Sequence, residues 1–233
     1  MRVGVVLPTF EHTADDALLA AGEAEREGLH GVFAYDHLWP MGQPGRPAIS
    51  PYPLLGAVAS RTRRVAVGTL VARVGLVPDD VLVAELLAID VVSGGRAVAA
   101  VGTGDAKSSG ENRAYGVGFP PARERRERLA AIVTQLRSSS VTTWVGGGSD
   151  ATNAVARATG AALNLWGAPP ATVAAAAATG EVTWGGMLPE SVTDSATLLA
   201  ALDRAGASWA VVGWPGSCDM IVAAASTAGL SLG

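Results

Sequence analysis

The sequence is poor in several of the residues from which specialised chemistry is built. It has one cysteine, Cys218. That excludes an intramolecular disulfide framework and fits a reducing compartment, so a cytoplasmic protein is expected. No apolar run reaches the length of a membrane span, and none is expected. The opening MRVGVVLPTF holds too short an apolar run for a signal-peptide core and passes at Pro8 from strand-like to loop-like sequence. The only histidines are His12, His30 and His37, and no histidine or cysteine cluster has the spacing of a zinc site. There is no Gly-x-Ser-x-Gly elbow. A phosphate loop is missing because no Gly-Lys-Ser/Thr follows the glycines, and Gly102 and Gly104 lack the third glycine of a dinucleotide fingerprint. Charged residues are only 16% of the chain and the net charge is −4, with basic residues scattered or on one helix. This argues against nucleic acid as the main partner.

What the sequence does have is apolar mass and a regular cadence. Hydrophobic residues make up 49% of 233 positions, enough for one large core, and no linker divides residues 1–233 into domains. Eight short β-branched runs alternate with helical segments: Val3–Leu7, Gly31–Tyr35, Val65–Val71, Ala97–Gly102, Thr142–Gly146, Ala162–Trp166, Glu181–Trp184 and Trp209–Gly213. Most are apolar on both faces, as parallel strands buried between a packed interior and a helical layer must be. Thr13 followed by Asp16 predicts a capping box at the first helix, which stops at Gly28. Pro78 with Asp79 and Asp80 opens a later helix. Arg123–Arg137 places Leu129, Ile132, Val133 and Leu136 on one helical face. Gly160, Gly180, Gly206 and Gly229 follow helices where a left-handed residue is needed. The pattern predicts an eight-stranded β/α barrel, with a doubly wound open sheet as the alternative. In both, functional loops lie at the carboxyl ends of the strands.

Three such ends carry candidate chemistry. The second run leads into AYDHLWP, placing Asp36 and His37 at the mouth, where a histidine can exchange a proton and a neighbouring carboxylate can orient it. The fourth leads into VGTGDAKSSGENRAYG. There Gly102 and Gly104 let backbone approach a ligand, while Asp105 and Glu111 bring carboxylates to the same rim. The fifth ends in WVGGGSDATNAVA, offering the N–H groups of Gly147, Gly148 and the helix start near Thr152 to an anion. Each segment also has a plainer reading, as a satisfied loop histidine, a glycine turn or an ordinary helix cap. Trp39, Trp166, Trp184 and Trp214 at strand ends are expected either to line an aromatic mouth for a flat ligand or to pack.

The segments AEREGLHGVFAYDHLWP, RTRRVAVGTLVARV and LLAIDVVSGGRAVAAVGTGDAKSSGENRAYGVGF resemble the bacterial-luciferase-like superfamily, and within it oxidoreductases that use the deazaflavin coenzyme F420. The likeness is dense from Arg2 to about Arg137 and weaker beyond. It implies a compact TIM barrel and selects the closed sheet. It also implies that His37 exchanges a proton during hydride transfer, that Asp105 stands where some relatives have a second acid/base glutamate, and that Asp36 contacts the coenzyme. Leu70 and Val71 would form a bulge behind the ring, where a non-prolyl cis peptide is often found. Gly104 would be among the coenzyme-binding residues, and Gly147, Gly148 and Thr152 would hold the coenzyme phosphate. The resemblance leaves three activities open: an F420-dependent oxidoreductase acting on a small organic molecule, an FMN-dependent monooxygenase, and a coenzyme-binding barrel without turnover. Relatives are commonly longer, with insertions over the coenzyme. Here WGGMLPESV passes directly into a helix, so an open site is expected. Relatives also associate through early helices, and the Ala/Val-rich stretch Val81–Val92 is a candidate homodimer face.

Overall fold

The computed structural model describes all of residues 1–233. Its strands are β1 (Arg2–Val6), β2 (Gly31–Ala34), β3 (Ala66–Thr69), β4 (Ala72–Arg73), β5 (Ala97–Gly102), β6 (Thr142–Gly147), β7 (Ala162–Trp166), β8 (Val182–Gly186) and β9 (Ala207–Val212). The helices are α1 (Asp15–Arg26), α2 (Pro51–Arg61), α3 (Asp79–Ser93), α4 (Ser109–Ala114), α5 (Ala122–Ser138), α6 (Asp150–Thr159), α7 (Pro170–Ala177), α8 (Val192–Arg204) and α9 (Asp219–Thr227). Every strand pairing is parallel, and the β3–β5 pairing closes the sheet. β4 continues the path of β3 after a break at Leu70–Val71, whose peptide bond is cis, and pairs with β5 through Ala72 and Val101. The nine segments therefore make eight staves, the expected closed β/α barrel. No helix is long and apolar enough to cross a membrane.

Alternation along each strand sends one residue inward and the next outward. Val5, Val32, Ala99, Val145 and Ala210 join the 48-residue core between strands and helices. Their neighbours Val6, Phe33, Ala100, Trp144 and Trp209 belong to a nine-residue cluster inside the barrel. The inner cluster is unusually aromatic for a barrel interior, which is more often filled by branched aliphatics. Phe33 stacks on Trp144 with centroids 5.3 Å apart, and Trp209 meets both rings edge-on at 5.8 and 5.6 Å. Three rings fit because three facing positions have no side chain. A Cβ on Gly4 would lie 3.0 Å from Phe33, one on Gly31 3.0 Å from Trp209, and one on Gly68 2.9 Å from Phe33.

The Ser-Gly-Gly-Arg segment fastens the helical layer. α3 ends at Gly94, with Gly94 and Gly95 both at positive φ. The chain then delivers the Arg96 guanidinium to the carbonyls of Ala59, Thr62, Val65 and Ser93. One side chain thus satisfies carbonyls at the end of α2, in the following loop and at the end of α3.

Several expectations need correction. Where strand limits shift they do so by one or two residues, and the third run is broken rather than continuous. Thr13 does not cap α1: the helix starts one residue later, with Ala14 at the cap and no side-chain bond, so the Asp15 and Asp16 charges support its first turn. Gly180 is not left-handed, because α7 ends in a right-handed turn at Ala178.

The packed glycines generate a paired prediction. Gly68→Ala sets its methyl 2.6 Å from the Val98 carbonyl oxygen as well as against Phe33, and should destabilise the fold by about 1–3 kcal/mol. Gly56→Ala, within α2 and with nothing within 4 Å, should stabilise it by about 0.5–1 kcal/mol. Urea unfolding of the two variants measures both, and equal effects would contradict the packing account.

Candidate functional site

The carboxyl ends of β1 to β7 surround a cavity of about 760 Å³. Asp36, two residues beyond β2, is buried beneath it. Its Oδ2 accepts from the Tyr52 hydroxyl of α2 at 3.1 Å and from the Arg73 backbone N–H of β4 at 2.8 Å. Burial pushes the Asp36 carboxyl above its ordinary range, although the Arg73 N–H and guanidinium, Tyr52 and His37 all pull it back. Asp36 thus anchors the loop that carries His37.

His37 is itself held by Glu111 of α4. Its Nδ1 lies 2.9 Å from Glu111 Oε1, while Oε2 accepts from the Leu38 backbone N–H at 3.0 Å and from Arg73 Nη2 at 2.9 Å. Glu111 is 3% exposed and Arg73 is equally buried. Burial alone would raise the Glu111 carboxyl. The Leu38 N–H, the His37 ring and the Arg73 guanidinium outweigh it and hold the group below its ordinary value. An ionised Glu111 assigns the ring proton to Nδ1 and leaves the His37 Nε2 lone pair free. Sequence reading placed Glu111 on the rim without its partner, and missed Arg73 and Tyr52. The one local signal was a lone arginine two residues past the end of the third run.

The other expected residues are placed as follows. Asp105 lines the cavity but is not joined to His37: its Oδ1 caps the turn Ala106–Ser108, accepting from the N–H groups of Lys107 and Ser108. Leu70 and Val71 form the cavity floor. Gly102 and Gly104, read as openings for a ligand, both line the cavity and also make room for the protein's own side chains. A Cβ on Gly102 would meet Val71 at 2.7 Å, and one on Gly104 would meet Arg73 at 2.8 Å, with Gly104 at φ +64°. Gly146 accommodates Val71 in the same way, at 3.0 Å. A side chain on Gly147 would collide with Asn153 and Leu163, whereas Gly148 faces open space.

The N–H of Thr152 is already taken by Ser149, which caps α6. The groups free for an anion are therefore the N–H groups of Gly148 to Ala151, which have no partner in the protein. Arg125 and Arg126 of α5 line the same cavity, and Arg125 Nε is buried without a partner. Of the four tryptophans only Trp166 lines the cavity. Trp184 is buried and donates to the Ala168 carbonyl, Trp214 packs on the outer core, and Trp39 lies against Tyr115. Phe10 and Tyr35 supply the remaining aromatic surface.

Residues 1–146 match the family described as luciferase-like monooxygenase. Among curated proteins, the chain is similar to an F420-dependent glucose-6-phosphate dehydrogenase of Microbacterium testaceum, 37% identical over 112 residues, covering 48% of this chain and 32% of that protein. It is 35% identical over 130 residues to the protein of the same name from Kineococcus radiotolerans, covering 54% and 38%. The chain spans between 32% and 41% of the length of the curated relatives it matches. Among solved structures, it superposes on an F420-dependent secondary alcohol dehydrogenase in complex with an F420–acetone adduct, with TM-score 0.80, 14% identity, and 99% and 98% of the two chains covered. The monooxygenase RslO1 from Streptomyces bottropensis gives TM-score 0.75 at 14% identity, covering 97% and 96%. At such identities these structures speak for the fold.

The buried network makes a signed pH prediction. Because folding lowers the Glu111 carboxyl below its ordinary 4.5, its stabilisation is present above pH 4.5 and is lost as pH falls through the folded-state value. At neutral pH, Glu111→Gln leaves the buried Arg73 charge unpaired and should destabilise by about 3–5 kcal/mol. Thermal unfolding across pH should show the difference between wild type and variant shrinking below 4.5. A constant difference would remove Glu111 as the ionised member.

Proposed function

The chain belongs to the luciferase-like monooxygenase family, and on that premise we propose that it is an F420-dependent oxidoreductase acting on a small organic molecule. The observation that carries this reading is the His37–Glu111 pair at the edge of a cavity whose far side presents free N–H groups and arginines. A deazaflavin with a phosphate-bearing tail fits these parts. Leu70, Val71 and Asp36 would lie behind the ring, and Gly104 and Asp105 beside it. Gly147 and Gly148, the start of α6 up to Thr152, and Arg125 and Arg126 would hold the phosphate. The partnerless Arg125 Nε and the open space at Gly148 are features that the protein's own packing leaves unused. When bound, the coenzyme supplies the two-electron hydride acceptor or donor.

The chain's own residues handle the proton. Glu111 keeps the proton of His37 on Nδ1, so Nε2 can accept one from a substrate hydroxyl. The imidazolium that results is stabilised by the same carboxylate at 2.9 Å. Asp36, fixed by Tyr52 and Arg73, limits the movement of the loop during this exchange. Asp105 lines the cavity but spends one oxygen on its turn, so His37 is the main acid/base group in this reading. The rings of Phe10 and Tyr35 flank His37, with centroids 6.4 and 6.3 Å from the imidazole.

The free, buried Cys218 supports a cytoplasmic setting. On the outer surface, Val81, Val91 and Val92 of α3 are 45%, 80% and 55% exposed, which supports a homodimer through that helix.

Three measurements check these readings. Titration with F420 and with FMN should show F420 bound in preference, and Gly148→Val should weaken F420 more than a phosphate-free analogue. His37→Ala should keep coenzyme affinity and lose at least about a hundredfold in turnover. Preference for FMN would favour the monooxygenase alternative, and unchanged turnover would exclude His37. In sedimentation, Val91→Glu should convert a dimer into a monomer; an unchanged sedimentation coefficient would exclude α3 as the interface.

A further inference from the structure

A side-chain amide stands at the floor of the cavity, just above the apolar cluster inside the barrel. The inward positions of β7 are Ala162, Asn164 and Trp166. Ala162 belongs to the inner cluster, while Asn164 and Trp166 line the cavity. Asn164 pairs in register with Gly146 of β6 on one side and with Thr183 of β8 on the other. It is 3% exposed, and Thr183 is fully buried. Asn164 Nδ2 donates to Thr183 Oγ1 at 2.9 Å. β8 and β9 contribute nothing to the cavity lining, so Thr183 acts from behind, by fixing the amide.

That bond satisfies only part of the group. An amide carries two N–H hydrogens and an oxygen with two lone pairs, and Thr183 takes one hydrogen. Asn164 Oδ1 makes no hydrogen bond within the protein, and it is not among the atoms that are both buried and unpartnered. It is therefore open to the cavity. Asparagine is disfavoured inside strands, and a half-satisfied buried amide costs free energy that an aliphatic side chain would not. A local rule broken without a packing gain marks a place where a ligand completes the structure.

The position of the amide identifies the donor it awaits. Val71 packs over Gly146, the register partner of Asn164, so the floor assigned to the coenzyme ring continues from Val71 to Asn164. In the barrel, β7 lies four staves from β2 in either direction, and Asn164 stands across the mouth from the strand that carries Asp36 and His37. We infer that Asn164 binds the pyrimidinedione edge of the deazaflavin, its Oδ1 accepting from the imide N–H. The inference rests on the F420-dependent reading. The imide holds the one N–H of the oxidised ring system and is flanked by carbonyls. One edge thus offers a donor to Oδ1 and an acceptor to the second Nδ2 hydrogen. The contact fixes which edge of the ring turns toward β7, and Thr183 keeps the amide from rotating away.

The test uses the full chain and calorimetry. F420 affinity is measured first. F420 is then compared with its N3-methyl derivative, which lacks the imide proton, on the wild type and on Asn164→Ala. The wild type should bind F420 at least about tenfold more tightly than the derivative. Asn164→Ala removes the acceptor and makes room for the methyl group. It should bind F420 at least about tenfold more weakly than the wild type and show no preference between the two ligands. General damage to the cavity would instead weaken both ligands and keep their ratio. Equal affinity of the wild type for the two, or a preference that survives in Asn164→Ala, would overturn the inference while leaving the coenzyme reading intact. The wild-type comparison decides by itself if the variant does not fold. Failure of F420 to bind would overturn that reading and the inference that depends on it.

Discussion

The Arg73–Glu111 ion pair is the contact on which the rest of the mouth depends. Arg73 gives its guanidinium to Glu111 and its backbone N–H to Asp36, so one residue of β4 serves two buried carboxylates. Each carboxylate in turn grips the loop after β2, Glu111 through His37 and Leu38 and Asp36 from within the loop itself. Burial pushes both acids upward, yet only Asp36 ends above its ordinary range, because three donors hold Glu111 down. Environments that separate two acids in this way allow one to remain a charge while the other serves as an anchor.

Glycine does related work at three levels. Near the base of the barrel, Gly4, Gly31 and Gly68 leave room for Phe33 and Trp209. At the cavity floor, Gly102 and Gly146 leave room for Val71, and at the rim Gly185 and Gly213 accept Trp166 and Met187. Most of the mouth glycines are thus occupied by the protein's own atoms. Gly148 is the one in the WVGGG segment that still faces empty space.

These facts explain what the sequence made legible. Periodicity reports on a window of neighbours, and the cadence of apolar runs gave eight staves with two runs, Ala97–Gly102 and Ala162–Trp166, bounded as observed. Asp36 and His37 were visible because a strand end and an acid/base pair coincide within a few residues. The network behind them was not, since 37 positions separate Asp36 from Arg73 and 38 separate Arg73 from Glu111. What packs beside Gly102 and Gly104 was hidden for the same reason: the neighbouring side chains, Val71 and Arg73, come from elsewhere in the chain. Trp184 and Trp209 look alike as strand residues, yet one packs outside the barrel and the other inside.

The empty contribution of β8 and β9 divides the chain into two unequal territories. Every cavity residue lies between Phe10 and Trp166, so the last quarter of the sequence closes the barrel without touching the ligand space. Its strand-end loops are bound by architecture alone. They are the ground on which this scaffold can gain new segments, a gate or a second recognition surface, at no cost to the chemistry already assembled on the opposite rim.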